Sequence, residues 1–330
     1  MNDFRCHRTP LVLIVLVLSI SFGQTALAQQ AATLNNAQKV ILDTDIGNDI
    51  DDAFALALLL STPKLQLVGV TTATGDTNLR ARLVARFLKE TGHSEIPVGA
   101  GLTSNSQPLL TQERWAKAFP QPAKGWPDAT NFNLDIIRRN PGQITLIAIG
   151  PLTNVGAMID KDPATFRQLK QVVIMGGSIR RGYGDLGYLP DNGPAPEYNI
   201  KVDIASARKL FAAGVPLYVM PVDSTQLKLD EVKRSSLFSQ GTPATDALTL
   251  LYWQWADAAW AVTPTLFDAM AVAVTINPDL CPTTPMHIDI DDKGFTREAA
   301  GKPNANVCLQ SDSEKFFHFY FSTVLDQTGR

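Results

Sequence analysis

Short apolar runs alternate along the chain with longer segments of helical periodicity. Six continuous apolar runs are found, at 39–45, 65–73, 96–101, 144–150, 171–177 and 216–223. Runs of this kind are buried on both faces by helices, so they predict the strands of a parallel sheet. Helices are predicted between them over 51–61, closed by Pro63, and over 77–91, closed by Gly92.

The pattern changes character after about residue 230. A Trp-rich helix is predicted over 244–261, a second helix from about Thr265, strands at 286–290 and 306–310, and an aromatic helix from Ser313. The predicted fold class is α/β: an open, mostly parallel, Rossmann-like sheet flanked by helices, with a mainly helical C-terminal part over one edge of the site. Residues 29–330 are predicted to form a single domain.

The first 28 residues have the pattern of an export signal. Arg5, His7 and Arg8 form a basic start, an apolar run extends over 11–22, and 26–28 read Ala-Leu-Ala, a small-residue cleavage site. We therefore expect cleavage of residues 1–28 and a periplasmic or secreted mature protein with no stable membrane anchor. An uncleaved anchor is the alternative, although about a dozen apolar residues are short for a membrane span of roughly 20.

Charge and cysteine content narrow the partners and the compartment. The formal net charge is -3, and no basic run or stripe is present to neutralise phosphates, so nucleic acid is not an expected partner. Cys281 and Cys308 remain in the mature chain and would enter an oxidising compartment. A disulfide between them and two buried free thiols are both open at this point.

Five aspartates crowd into ten positions directly after the first apolar run: Asp43, Asp45, Asp49, Asp51 and Asp52. Two of them end a strand on one face, and two others begin a helix, at the edge where open α/β sheets bind ligands. Like charges this close repel, so something positive should sit among them. Carboxylates without nearby His or Cys predict a hard cation, Ca²⁺ or Mg²⁺. Helix capping plus solvated acids is the alternative.

The segment DTDIGNDIDDA resembles the amino-terminal signature of the nucleoside hydrolases, the inosine-uridine-preferring N-ribohydrolase family, which reads D-x-D-x-G-x-D-D-A. This chain carries two extra residues, so that Asp51 and Asp52 match the final pair. Further resemblances follow in the family's order, from Lys39 to at least Asn277: TTATGDTN, IGPLTNVGAMI, IMGGSIRRG with PEYNIKVDIASA, VMPVDST and TLFDAMAVA. The resemblance implies the nucleoside hydrolase fold and a catalytic domain.

The resemblance also implies a Ca²⁺ site and a reaction. Its ligands would be Asp45, Asp52, Asp268 and the carbonyl of Thr153, and a bound water would attack the anomeric carbon of a ribonucleoside. Asp45 would be the general base. The products would be free base and ribose. A homo-oligomer, a dimer or tetramer, is expected by the same resemblance.

The implied sugar contacts are five polar residues, Asp51, Asp76, Asn192, Glu197 and Asn199. Asp76 stands where the family usually has Asn. Because unpaired buried polar groups are costly, a 2'-deoxyribonucleoside is expected to be a poor substrate.

Phe267 departs from the base-tolerant branch of the family, which has a histidine before the last metal aspartate to protonate the leaving base. The purine-specific branch has Trp at this position. Because Phe267 is aromatic too, it favours purine ribosides as substrates through stacking.

Two other functions fit parts of the pattern. Asp-x-Asp at a strand end also begins the haloacid-dehalogenase phosphatases, but the lysine and later acidic pair of those sites have no match here. An exported riboside- or ribose-binding protein without catalysis is the stronger alternative. The presence of Asp45 argues against lost chemistry.

Overall fold

The computed structural model describes residues 37–103, 108–184 and 193–325. The predicted signal at 1–28 lies outside these residues. From Gln38 onward the chain forms one compact unit. Among the described helices, none is long and apolar enough to cross a membrane.

A mostly parallel eight-stranded sheet forms the centre of the fold, in the order β3-β2-β1-β4-β5-β6-β10-β7. The predicted α/β class is confirmed. Strands β1 to β6 and β10 are parallel, β7 is antiparallel to β10, and β8 pairs with β9 in a separate ribbon. The strands are β1 (Gln38–Thr44), β2 (Leu65–Thr72), β3 (Val98–Ala100), β4 (Thr145–Ala148), β5 (Gln171–Met175), β6 (Leu217–Met220), β7 (Thr284–Met286), β8 (Ile288–Ile290), β9 (Thr296–Glu298) and β10 (Ala305–Val307).

The strand order reverses between β1 and β4, the two strands that pair at the middle of the sheet. At such a switch point the loops leaving adjacent strands run to opposite faces and leave a crevice at the carboxyl ends. The aspartate segment follows β1 directly. The fold therefore places it in the crevice.

Helices cover both faces of the sheet. They are α1 (Asp51–Ser61), α2 (Thr77–Glu90), α3 (Glu113–Lys117), α4 (Ala129–Arg139), α5 (Thr153–Lys161), α6 (Pro163–Phe166), α7 (Tyr198–Lys201), α8 (Ile204–Ala212), α9 (Val222–Thr225), α10 (Glu231–Phe238), α11 (Pro243–Ala259), α12 (Ala269–Ile276) and α13 (Ser313–Leu325), with a 3-10 turn at Pro278–Leu280.

Two apolar cores lie on the two sides of the sheet. The larger contains α1, α2, α11, α12 and α13, and the smaller contains α4, α5 and α8. Helix α1 is buried on all sides from Asp51 to Leu60, as expected for a helix without a polar stripe. A central helix of this kind holds the acidic residues at its start in a fixed place.

The C-terminal part differs from the prediction in two places. The helix predicted from about Thr265 begins only at Ala269, because Leu266 donates to the Leu227 carbonyl and the preceding residues pair with 227–229. The strand predicted at 286–290 is divided between β7 and β8, which belong to different sheets. Strands β7 and β10 extend the main sheet, and the rest of this region is mainly helical, as predicted.

Cys281 and Cys308 form a disulfide, with Cα atoms 5.7 Å apart and both residues buried. The bond joins the turn after α12 to the end of β10. Of the two readings that the sequence left open, the structure has the disulfide.

Candidate functional site

A cavity of about 290 Å³ lies at the carboxyl ends of the central strands. It receives residues from the loop after β1, the ends of β4 and β5, and the starts of α1, α7 and α12. Its lining consists of Asp45, Asn48, Asp49, Asp51, Asp52, Pro108, Ile149, Met175, Tyr183, Glu197, Tyr198, Asn199, Phe267 and Asp268. One side is acidic and another is aromatic.

Three buried carboxylates converge on the acidic side. One oxygen each from Asp51, Asp52 and Asp268 lies within 4.8 Å of the others. Burial, followed by mutual repulsion, raises the pKa of all three carboxyls well above the usual range. Without a cation, this arrangement is electrostatically unfavourable at neutral pH.

Helix capping does not account for these acids. Helix α1 begins after Ile50 without a side-chain cap, and Asp268, at the N-cap position of α12, makes no capping hydrogen bond. The helix dipoles favour negative charge at both starts, but the carboxylates are left available to a ligand. Within residues 37–103, 108–184 and 193–325, Thr44 is the residue whose side-chain hydroxyl donates to Asp52.

Asp45 lies beside the trio at the end of β1. Burial is the main cause that raises the pKa of Asp45 to about 6, against the opposing charge of Arg80. Gly150 permits a close approach here, because a Cβ at this position would lie 2.8 Å from the Asp45 amide nitrogen and 3.0 Å from its Oδ1. The glycine after β4 thus makes room for Asp45.

Arg80 supplies the positive charge within the acidic region. Its side chain is 1% exposed, and its guanidinium donates to the carbonyls of Thr74 at 2.7 Å and Ile46 at 2.8 Å, to the Asp45 carbonyl and to Asn48 Oδ1. A guanidinium presents donors in a rigid fork, which suits it to hold several acceptors at once. Arg80 therefore fixes the backbone that carries Asp45.

Asp43 lies beneath the cavity and is fully buried. Its Oδ1 accepts from Thr71 Oγ1 at 2.6 Å and Asn154 Nδ2 at 2.8 Å, which ties β1 to β2 and α5. Burial is the main cause that raises the pKa of Asp43 to about 6. Asp43 does not line the cavity, so it supports the site from below.

Glu197 and Asn199 also line the cavity, from the start of α7. Glu197 accepts from the backbone N–H groups of Gly177 and Asn199, both at 2.9 Å, and of Ile200 at 3.1 Å. Burial raises the pKa of Glu197 to about 7. Asn199 Nδ2 donates to the carbonyls of Ile149 at 3.1 Å and Met175 at 3.0 Å, which joins the ends of β4 and β5.

The aromatic side is formed by Phe267 and Tyr183, whose rings meet edge to face with centroids 5.9 Å apart. The Tyr183 hydroxyl lies 3.4 Å from Glu197 Oε1. An apolar wall next to a few polar groups is typical of a small-molecule site, in which the wall contacts the apolar part of the ligand and the polar groups orient it.

Most of the residues that sequence analysis proposed for the site meet at this cavity: Asp45, Asp51, Asp52, Glu197, Asn199, Phe267 and Asp268. Three do not. Thr153 begins α5 and is not among the residues that line the cavity, and the role predicted for its carbonyl stays a prediction. Asp76 is exposed and caps α2 by accepting from Leu79 N at 2.9 Å. Asn192 lies outside the described residues.

Sequence analysis missed Arg80, Asn48 and Tyr183. A signal for Arg80 was present, because it lies four residues before Val84 and seven before Phe87, on the apolar face of α2. A charged residue on such a face needs buried partners. Asn48 and Tyr183 lie in loops, where no periodicity indicates which way a side chain points.

The donor set fits a hard divalent cation. The trio offers carboxylate oxygens only, they are buried, and the nearest buried cation, Arg80, uses its donors on Thr74, Asp45, Ile46 and Asn48. Oxygen donors without nitrogen or sulfur favour Ca²⁺ or Mg²⁺ over transition metals. The residues that could hold the ion are Asp51, Asp52 and Asp268, with Asp45 beside them.

Comparison with known proteins agrees with the geometry. The family model for the inosine-uridine preferring nucleoside hydrolase matches residues 40–318. The Schizosaccharomyces pombe protein C1683.06c is 34% identical over 212 residues, which cover 59% of this chain and 64% of that protein. The pyrimidine-specific ribonucleoside hydrolase RihA of Citrobacter koseri is 27% identical over 313 residues, which cover 85% of this chain and 96% of that enzyme.

A solved structure shares the fold. The plant nucleoside hydrolase PpNRh1 aligns with a TM-score of 0.73 and 23% identity over 88% of this chain and 99% of that chain. The family match spans most of the chain and includes every described residue that lines the cavity. The chain therefore belongs to the inosine-uridine preferring nucleoside hydrolase family and is a hydrolase that acts on the N-glycosyl bonds of ribonucleosides.

Proposed function

We propose that this protein is an exported, Ca²⁺-dependent ribonucleoside hydrolase that releases free base and ribose and prefers purine ribosides. The observation that carries the proposal is the meeting of Asp51, Asp52 and Asp268 in one cavity with Asp45, Glu197 and Asn199. These residues come from distant parts of the chain. Together they supply a cation site, a base and sugar-binding groups.

Asp51, Asp52 and Asp268 would hold the ion, with Asp45 at its side. A bound Ca²⁺ would orient a water molecule and make it more acidic. Asp45 would take the proton of this water on a carboxylate oxygen. A carboxylate that is buried beside the cation site suits the role of general base.

The acidic side of the cavity also suits the sugar. Ribose loses its base through a transition state with positive charge on the ring, which nearby carboxylates stabilise. Glu197 and Asn199 are held by backbone hydrogen bonds, so they can meet sugar hydroxyls without rearranging. The base would then lie against Phe267 and Tyr183.

Base preference is a finer part of the proposal. Phe267 has no group that can protonate a leaving base, so stacking against an aromatic ring is the contribution it can make. The RihA relative is named as pyrimidine-specific. A ranking of purine and pyrimidine ribosides decides between these two indications.

Two observations support export. Residues 1–28 carry the signal pattern, and a buried disulfide is typical of proteins from oxidising compartments. Fractionation of cells that express the full chain, with N-terminal sequencing of the product, tests this part. A mature start near Gln29 is expected, and an intact Met1 in the cytoplasm would contradict it. The expected dimer or tetramer is tested by light scattering on the mature protein.

The activity is tested by measuring free base and ribose from inosine, adenosine, guanosine, uridine and cytidine, before and after chelation and after Ca²⁺ is restored. We expect chelation to abolish release and Ca²⁺ to recover it. Asp45→Asn should lower kcat by about 10³-fold. Deoxyinosine should be turned over much more slowly than inosine. Release that is unaffected by chelation and by Asp45→Asn would refute the mechanism.

A further inference from the structure

The loop between β1 and α1 brings two residues to the cavity that the family signature does not assign. This loop is two residues longer than the pattern D-x-D-x-G-x-D-D-A, and Asn48 and Asp49 fall in the lengthened part. Both line the cavity. The added length therefore changes the wall of the site and not only the outer surface.

Two elements anchor this loop from opposite sides. On one side, Arg80 holds the carbonyls of Asp45 and Ile46 and the side chain of Asn48. On the other, Thr111 Oγ1 donates to the Asn48 carbonyl at 2.6 Å and Gln112 Nε2 donates to the Asp49 carbonyl at 2.7 Å. A loop held in this way presents its side chains in a fixed direction.

Arg80 also determines which end of the Asn48 amide faces the cavity. A guanidinium has donors and no acceptor, so the atom of Asn48 that meets it must be the oxygen. The NH₂ group is therefore turned away from Arg80. Within the described residues no hydrogen bond engages this NH₂ group, although Asn48 lines the cavity. A fixed donor is thus offered to a bound molecule.

The position of the loop indicates which part of a nucleoside it meets. The sugar is assigned to the acidic side, next to Glu197 and Asn199. The Asn48 carbonyl accepts a hydrogen bond from Thr111 Oγ1. Thr111 lies three residues after Pro108, which also lines the cavity. The next residue, Asp49, also lines the cavity; burial raises the pKa of its carboxyl, and a hydrogen bond from Trp255 and the charge of Lys228 oppose this rise. Lys228 Nζ donates to Thr265 Oγ1, two residues before Phe267. Lys228 thus connects this part of the loop to the segment that carries Phe267, against which the base would lie.

We propose that Asn48 is a specificity residue, the NH₂ group of which donates to an acceptor atom on the leaving base, and that Arg80 is the positioning residue that orients it. This inference rests on the proposed ribonucleoside hydrolysis. The ligand class is a nucleobase with a carbonyl oxygen or unprotonated ring nitrogen at its edge. A leaving group without such an acceptor gains nothing from Asn48.

The test compares two substrates in the same variants: the best ribonucleoside of the wild type, and p-nitrophenyl β-D-ribofuranoside, which has the same sugar and an activated aryl leaving group. Asn48→Asp keeps the size of the side chain and its acceptor toward Arg80 but removes the donor. We expect the ratio of kcat/KM for the nucleoside to that for the aryl riboside to fall by at least 10-fold. Asn78→Asp, an exposed position at the start of α2, is the matched control and should leave the ratio unchanged.

Arg80→Lys tests the positioning role. A lysine ammonium is a single point donor and cannot hold the same four acceptors, so the Asn48 amide would be free to turn. We expect the same ratio to fall, by about 3-fold to 10-fold, together with a lower Tm. A lower Tm with an unchanged ratio would show that Arg80 is only structural and would overturn this part.

The outcomes separate the inference from the proposed function. If Asn48→Asp lowers both activities equally, Asn48 serves the sugar or the fold, and the inference is wrong. If neither activity changes, the inference is also wrong, while ribonucleoside hydrolysis stands. A wild-type protein that cleaves neither substrate would overturn both.

Discussion

The aspartates at helix starts form two contrasting sets. Asp203 and Asp230 are the N-cap residues of α8 and α10, and each accepts a hydrogen bond from the backbone N–H three residues later. Asp268 occupies the equivalent position at α12 and makes no such bond. An aspartate at the same helix position thus accepts a backbone hydrogen bond in one region and is left available to a ligand in the other.

The pKa values of the carboxyls of Asp230 and Asp268, one from each set, are shifted in opposite directions. Hydrogen bonding from Lys233 lowers the pKa of the Asp230 carboxyl, which is in solvent. Burial and neighbouring carboxylates raise the pKa of Asp268. A buried acid whose charged neighbours are other carboxylates costs free energy of folding, so its retention indicates a ligand. The hydrogen-bond partners and the pKa shift of an aspartate therefore distinguish a functional acid from a structural one, which the residue type alone does not.

The largest effect is expected when Asp268 is replaced by Asn. Loss of one of three carboxylates should weaken cation binding by at least about 10²-fold and lower kcat/KM by about 10³-fold at limiting Ca²⁺. The free energy of unfolding of the metal-free protein should not fall, and should rise by on the order of 1 kcal/mol, because a buried repulsive charge is removed. Calcium titration by calorimetry and chemical denaturation measure the two quantities. A large loss of stability in the metal-free variant would place Asp268 with the structural acids.

Removal of the disulfide tests whether the protein can lose stability far from the cavity and keep its catalytic activity. Its two cysteines are 27 residues apart, and closing such a loop contributes about 3 to 4 kcal/mol in the chain-entropy view. The double variant Cys281→Ser/Cys308→Ser should therefore lose that much free energy of unfolding, and its denaturation midpoint should be at a lower denaturant concentration. Its kcat/KM at a temperature where it stays folded should match the wild type. Changed kinetics in the folded variant would show that this region is coupled to the cavity.

The pH dependence of the metal-free protein should show the cost of the unpaired acids. In the unfolded chain these carboxyls have ordinary pKa values near 4, whereas burial raises the pKa of Asp45 to about 6 and of Glu197 to about 7 in the fold. The folded state then holds protons that the unfolded state has lost, so stability falls as the pH rises through this window.

We expect the chelated protein to be less stable at pH 8 than at pH 5.5, by on the order of 2 kcal/mol. Ca²⁺ should restore more stability at pH 8 than at pH 5.5, because it binds the deprotonated carboxylates. Denaturation at both pH values, with chelator and with Ca²⁺, provides the comparison. Equal calcium stabilisation at the two pH values would contradict it.

The smallest effect is expected at a structural acid. Asp203 accepts from Ser206 N at 3.0 Å and from Ser206 Oγ at 2.8 Å. Asp203→Ala should lower the free energy of unfolding by about 1 kcal/mol through the lost cap. Activity and calcium affinity should be those of the wild type. Altered calcium affinity in this variant would break the division between the two sets.

Sequence reasoning located the elements best where local pattern decides them. The predicted bounds of α1 agree with the structure, and β1 and α2 agree to within one residue at most ends. The start of α12 was placed too early because pairing of 264–266 with 227–229 is a tertiary contact that no local pattern shows. Asp76 caps α2 and does not line the cavity, and its predicted contact with the sugar stays a prediction.

The sequence by itself determined the α/β class, the strand ends that carry the acids and the family resemblance, because these depend on periodicity and on the order of short motifs. Only the tertiary structure decided which acids are left unpaired, that Arg80 is buried among them, and which way Asn48 points. The physical reason is that burial and hydrogen-bond partners come from residues distant in sequence. Arg80 reaches back 35 residues to the Asp45 carbonyl, and Asp268 joins Asp51 and Asp52 from near the other end of the chain.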